Sequence, residues 1–453
     1  MPYVPLAGIH AALFSSTSLY YMKLKLIFLL FPGILSAQSY TSYLTGSQSD
    51  LVTVPAGGVC LMGGATEDDN AMRWFLQRAN GGDILVLRAS GSDGYNDYLY
   101  NFPGVSVNSV ETIVCNNASA SNSAYIHQKI NQAEAIWFAG GDQWKYISYW
   151  RGTAVDSLIN LAVLKRNIVI GGTSAGMAIQ GHYYFSATNG TVTSPTALAN
   201  PFDTRVTVDS TAFIENELLE KVITDTHFDN PDRRGRLCVF LARIYSDYGV
   251  RGRAIACEEY TAVCVDTNGI ASVFGGSPLY DDNAFFIQVN CETNDPAPEN
   301  CTPGQPLVWN LNGKALSVCK IRGDASGTGT FNMNDWTSDN GGIWLDWSVQ
   351  QGIFSQVTGT EPACIVQVPD SDSNTAPFSI FPNPVSDYMI IRSDIPDGET
   401  IRIRIFDAQG RPEAIHTVKG TEDSIPAHLL HSGVHFASIS MGSRTWQTRI
   451  LKN

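Results

Sequence analysis

The segment "IVIGGTSAGMAIQG", Ile168–Gly181, decides how the chain is read. A β-branched apolar run ends in Gly171-Gly172, and one serine, Ser174, stands among small residues ahead of a helix-compatible stretch. A strand turning sharply into a helix leaves no room for side chains beside the residue at its tip. Gly172-Thr173-Ser174-Ala175-Gly176 supplies that room in the pattern G-x-S-x-G. Such a turn lifts a hydroxyl above the C-terminal edge of a sheet, aims a helix N-terminus at developing negative charge, and offers the Ala175 N–H to an oxyanion. A serine here can equally serve as an N-cap, so the neighbouring strand ends have to decide.

Outward from this segment, strand-like and helix-like text alternate from about residue 55 to 270. "GGVCLMGG" and "DILVLRAS" read as buried strands around the helical "EDDNAMRWFLQRAN". Strand-like "VETIVCN", helical "NSAYIHQKINQ", strand-like "AIWFAGG", helical "AVDSLINLAVLKR" and strand-like "NIVIGG" follow. The alternation predicts an α/β fold with a doubly wound, mostly parallel sheet. Beyond residue 270 the text grows rich in Gly, Asn, Asp and Pro, with short strands such as "NAFFIQVN" and "ALSVCKIRG". It is read as the closing edge of the same domain plus long loops. A polar linker, "PDSDSNTAP" at 369–377, precedes "FSIFPNPVSDYMIIRS" and "IRIRIFDAQGR", where Ile401, Ile403 and Ile405 alternate before an Ala408-Gln409-Gly410 turn. That pattern predicts a small antiparallel β-sandwich over 378–453, with the α/β domain occupying 38–368.

At 453 residues, 44% apolar and only 16% charged, the composition is globular and sufficient for two cores. A formal net charge of -14 argues against nucleic-acid or anionic-membrane surfaces and suits a cationic ligand better. From Met22, "MKLKLIFLLFPGILSAQ" has the layout of a secretory signal peptide. Lys23 and Lys25 precede an apolar run from Leu26 to Leu35, broken by Pro32-Gly33 and too short to span a membrane, and then Ser36-Ala37. The mature chain is expected to start near Gln38, with residues 1–21 an upstream extension. Export makes the nine cysteines interpretable: none form CxxC and no His spacing suggests zinc, so neither metal nor other cofactor is expected. Cys291 and Cys301, flanking "ETNDPAPEN", are the expected disulfide, while Cys257 and Cys264 are expected to be buried thiols.

Two further strand ends carry chemistry. "AIWFAGGDQW" places Gly141 where a second backbone donor could face an oxyanion and Gln143 where a polar side chain could meet substrate, although Asp142 also fits an N-cap. "VITDTHFDNPDRRGRL" carries His227, the one histidine of eight in strand-end context, followed by Arg233, Arg234 and Arg236.

Taken together, "GGDQ" at 140–143, "GGTSAG" at 171–176, "DTHF" at 225–228, "RRGRL" at 233–237 and "EEYTAV" at 258–263 resemble the cyanophycinase and aspartyl dipeptidase family of serine peptidases. The resemblance implies a flavodoxin-like core similar to the class I glutamine amidotransferases. It implies Ser174 as nucleophile, His227 as base and then acid, and Gly141 and Ala175 as oxyanion donors. Gln143, Arg233 and Arg236 become substrate contacts. Asp203 in "NPFDTR" is taken as the third member of the triad, with Glu259 as its rival or as a binder of the substrate's cationic end. Pro231 stands where cyanophycinases usually carry an arginine, which leaves the exact substrate open. The resemblance implies hydrolysis of peptide or isopeptide bonds next to aspartate, with cyanophycin-like β-Asp-Arg material first and Asp-X dipeptides as the rival. A catalytically silent surface module is the non-enzymatic alternative, and a homodimer is left open. The tail, with Pro382-Asn383-Pro384, "DAQGR", Gly433-Val434-His435-Phe436 and a lysine near the C-terminus, Lys452, resembles the sorting domain of Bacteroidetes type IX secretion cargo. That implies passage through the periplasm, delivery to the surface or medium, and the type IX machinery as partner.

Overall fold

The computed structural model describes residues 38–101, 104–364, 378–393, 400–407, 412–419, 422–427, 430–441 and 444–453. The expected signal peptide, the 369–377 linker and the Ala408-Gln409-Gly410 turn lie outside the described residues.

Five parallel strands form the heart of a ten-stranded sheet, in spatial order Ser109–Cys115, Asp83–Arg88, Ala135–Phe138, Val169–Thr173 and Val59–Met62. They are short apolar runs buried along most or all of their length, as strands covered on both faces must be. Helices Asp69–Arg78, Ala124–Gln132 and Ala154–Arg166 connect them. The first begins at Asp68, whose carboxylate accepts the backbone N–H groups of Asn70 and Ala71. The last ends at Asn167 in the left-handed conformation. Antiparallel strands flank this heart, Tyr40–Gly46 on one side and Ala262–Val265 then Ile270–Ser277 on the other.

The chain after residue 270 does more than close an edge. Asn283–Val289, Leu316–Arg322, Gly342–Gln350 and Ile353–Thr358 join Arg253–Cys257 and Val222–Asp225 in a second, six-stranded sheet. Only the pair Val222–Asp225 and Arg253–Cys257 is parallel in it. Its Gly- and Asn-rich turns hid the alternating apolar residues that pack around Phe285, Trp309 and Trp347. The chain crosses between the sheets at residues 258–261, after Arg253–Cys257 and before Ala262–Val265.

The described residues from Phe378 onward include a three-stranded and a four-stranded antiparallel sheet that share a core of their own. Ile401, Ile403 and Ile405 are buried there with Met389, Ile391 and Ile439, following the period-two alternation seen in the sequence.

The cysteines differ in one respect from expectation. Cys291 is bonded to Cys364, because the Ala363 N–H donates to the Glu292 carboxylate at 2.8 Å and carries Cys364 alongside. Cys301 instead packs as a free thiol against the core of the second sheet. Cys257 and Cys264 are buried thiols.

Phe138, fully buried at the end of its strand, packs on Tyr146 and Trp150. Phe138→Ala is expected to cost about 3 to 5 kcal/mol, read as a lower urea midpoint in unfolding followed by tryptophan fluorescence.

Candidate active site

Ser174 terminates the strand Val169–Thr173 and precedes the four-residue helix Ala175–Ala178. Its backbone is forced to φ 50, ψ -115, a conformation that costs a non-glycine residue on the order of 1 to 3 kcal/mol and persists only when its surroundings hold it. The hold is visible. A Cβ on Gly172 would sit 2.5 Å from the Gly176 carbonyl carbon, and one on Gly176 would sit 2.0 Å from the Phe138 carbonyl oxygen. No larger residue fits either flank of the turn.

The Ser174 hydroxyl lies 2.8 Å from His227 Nε2, and His227 Nδ1 lies 2.6 Å from Glu259 Oε1. These three residues come from three places. Ser174 ends a strand of the large sheet, His227 follows the edge strand Val222–Asp225 of the second sheet, and Glu259 sits in the crossing between sheets. His227 also has positive φ, 46°. Gly64, at φ +124°, passes under the imidazole so closely that a Cβ there would lie 2.4 Å from the ring, which is why glycine is needed at that position.

Asp203 is not brought to His227. Its carboxylate accepts from Arg205 N at 3.0 Å, Nε at 2.8 Å and Nη2 at 3.1 Å, and these bonds hold it below the usual carboxylate range. Both imidazole nitrogens are already engaged by Ser174 and Glu259. The two glutamates of "EEYTAV" divide: Glu258 accepts from the Asn283 backbone at 2.9 Å and side chain at 2.7 Å, and only Glu259 reaches the histidine.

The arginines expected to meet substrate are structural in this fold. Arg236 forms a two-pronged ion pair with Asp225, both side chains only 4% exposed, and Arg233 Nη1 donates to the Thr226 carbonyl at 2.8 Å. Burial lowers the Arg233 pKa to about 10. The start of helix Arg234–Tyr248 thus braces the Asp225-Thr226 segment that delivers His227. Gln143 also turns away from an expected role, its amide donating to the Phe185 carbonyl at 2.9 Å, while Asp142 caps helix Gln143–Trp150 through Trp144 N. Gly140, rather than Gly141, faces Ser174: a Cβ on Gly140 would lie 3.6 Å from the Ser174 Cβ. The Ala175 N–H is the first of its short helix and lacks a helical acceptor.

Ser174, His227 and Gly140 open onto a cleft of about 560 Å³. Its other walls include Glu67, Arg88, Tyr95 and Tyr98, none of them singled out in the sequence. Arg88 Nε and Nη1 donate to the carbonyls of Ser90 and Ser92 at 2.5 and 2.8 Å, and among the described residues no carboxylate forms an ion pair with it. The Tyr95 hydroxyl donates to Glu67, and burial raises the Tyr95 pKa. The sequence offered only a weak signal for this wall: Arg88 ends a buried strand, the position where the fold places ligands.

Residues 69–268 match peptidase family S51, and residues 379–453 match a secretion system C-terminal sorting domain. The chain is similar to the cyanophycinase of Trichormus variabilis, 26% identical over 178 residues, covering 39% of this chain and 54% of that one. It is also similar to the cyanophycinase of Synechococcus elongatus, 24% identical over 227 residues, covering 48% and 66%. The chain thus spans about half the length of the first of these relatives. Among solved structures it is similar to a peptidase from an acI-B1 actinobacterium, at 13% identity and TM-score 0.38, covering 51% of this chain and 90% of that one.

Arg236→Met separates bracing from substrate contact. Leaving Asp225 as an uncompensated buried charge should cost about 3 to 5 kcal/mol, seen as a large drop in melting temperature. A side chain that only met substrate would leave the melting curve in place.

Proposed function

We propose that this chain, which carries a peptidase family S51 domain over residues 69–268 and a secretion sorting domain over 379–453, is an exported serine peptidase of cyanophycinase-like specificity. It would cleave peptide or isopeptide bonds next to aspartate. The observation that carries this reading is the unbroken hydrogen-bond chain Ser174–His227–Glu259 at the mouth of a cleft.

In this mechanism His227 Nε2 takes the proton of the Ser174 hydroxyl as the oxygen attacks the substrate carbonyl. Glu259, hydrogen-bonded to Nδ1, holds the proton-bearing tautomer in place and stabilises the imidazolium that forms. The carbonyl π electrons move to oxygen, whose charge the Ala175 N–H and a backbone N–H of the Gly140-Gly141 segment would stabilise. His227 returns the proton to the leaving amine as the C–N bond breaks, leaving an acyl-Ser174 ester. Water, deprotonated by His227, then attacks that ester, and His227 returns the proton to the Ser174 oxygen as the acyl C–O bond breaks and the carboxylic product leaves. A cationic Arg88 and an anionic Glu67 in one cleft suit a substrate offering both a carboxylate and a guanidinium, as β-Asp-Arg material does. The Asp-X dipeptide reading uses Arg88 alone.

The peptidase domain is assigned to residues 38–368 and the sorting domain to 378–453, the latter addressing the protein to the type IX machinery and the cell surface or medium. Deleting 378–453 is expected to leave a folded peptidase that fails to reach the surface, checked by cell fractionation. Loss of folding would sink the independence of the two cores.

Ser174→Ala should lower kcat on the cleaved substrate by about 10³-fold or more with the melting temperature held, because alanine fits the turn and only the hydroxyl is lost. Glu259→Gln should likewise lower kcat by orders of magnitude with little change in KM, whereas Asp203→Asn should stay near wild type. Parallel assays on cyanophycin and Asp-X dipeptides identify the substrate, and full turnover by Ser174→Ala would overturn the assignment.

A further inference from the structure

We propose that Cys60 and Cys264 form a second disulfide in the exported protein, a covalent clip across two neighbouring strands that border the active site. Cys60 lies in Val59–Met62 and Cys264 in Ala262–Val265, antiparallel neighbours in which these two residues stand directly opposite. Their sulfurs are 3.6 Å apart.

The register favours bonding. Gly63 N donates to the Thr261 carbonyl at 2.9 Å, and Gly63 and Thr261 continue the register in which Met62 faces Ala262. Hydrogen-bonded pairs therefore alternate as 63/261 and 61/263. Cys60 and Cys264 fall on a non-hydrogen-bonded pair, where Cα atoms are about 4.5 Å apart and side chains approach most closely, inside the range a disulfide spans. Both side chains join the core cluster on one face of the sheet. The third nearby thiol, Cys257, belongs to the opposite cluster and points its sulfur at the Leu61 carbonyl, so it does not compete for Cys60.

The chemistry balances as thiol–disulfide exchange. The Cys60 Sγ–Cys264 Sγ bond forms, the S–S bond of a protein or small-molecule disulfide breaks, and that donor takes up two electrons and two protons. The chain already holds one bridge, Cys291–Cys364, and carries a secretion sorting domain, which places it where such donors operate. Because both sulfurs are sealed from solvent in the folded chain, exchange takes place as the sheet assembles. The clip would close just below Met62, Gly63 and Gly64, whose carbonyls hold the backbone of Ser174, His227 and Tyr260. The inference does not depend on which bond the enzyme cleaves.

Full-length protein recovered from an oxidising compartment without reductant should show, once denatured, two fewer titratable thiols than the seven that Cys291–Cys364 alone would leave. Alkylation followed by peptide mass spectrometry should find Cys60 and Cys264 in one cross-linked species. In Cys60→Ala the cross-link should vanish, with Cys264 alkylated and Cys291–Cys364 intact. Seven thiols in the wild type, or Cys264 linked to another cysteine, would overturn the proposal. The wild-type map decides the matter even if the variant fails to fold.

Discussion

Three successive carbonyls at the end of one buried strand organise the site. Met62, Gly63 and Gly64 accept the backbone N–H groups of Ser174 at 3.0 Å, His227 at 2.9 Å and Tyr260 at 3.1 Å. They thereby fix the chain at the serine, at the histidine and immediately after Glu259. A serine–histidine–carboxylate relay works only if its members hold hydrogen-bond distance without reorganising. Here that distance is set by main chain, in a strand that is itself fully buried. Side-chain rotamers finish the alignment but do not create it.

The same constraint explains the unusual backbone around the site. Ser174 and His227, and Tyr260 next to Glu259, each have positive φ, and such conformations survive only where the surroundings over-determine them. The carbonyl ladder is one constraint and the Asp225–Arg236 ion pair is another. Arg236 anchors the strand end just before His227, and Arg233 ties down the Thr226 carbonyl between them. Buried Arg236 and half-buried Arg233 hold geometry here through an ion pair and a hydrogen bond to the main chain, which is a different task from gripping a substrate carboxylate. The cleft's own cation, Arg88, comes from another strand end and is held by loop carbonyls, leaving its charge available to a ligand.

The second sheet gives the fold its particular character. A parallel sheet alone would place serine and helix N-terminus at its carboxyl edge, but the histidine is supplied by a strand of the other sheet, and the glutamate by the crossing between them. The site therefore depends on docking two sheets, whose cores are built around different aromatic sets. The small C-terminal sandwich has its own core and, among the described residues, contributes none to the cleft.

Local physics made much of this legible in the sequence. Buried strands alternating with helices declared the parallel sheet, period-two isoleucines declared the sandwich, and small residues around Ser174 declared a tight strand-to-helix turn. All are short-range patterns that a linear reading captures. His227 was legible for the same reason, as a histidine at a strand end. What the sequence could not decide was which acid meets that histidine. Asp203 and Glu259 are both carboxylates in plausible settings, and the choice rests on contacts across 32 residues for Glu259 and on the private Arg205 partner of Asp203. The disulfide partner of Cys291, 73 residues away, the burial of Arg236, and the Arg88 wall of the cleft were likewise settled by long-range packing. Proximity in space between distant segments is a property of the assembled sheets, and no local pattern encodes it.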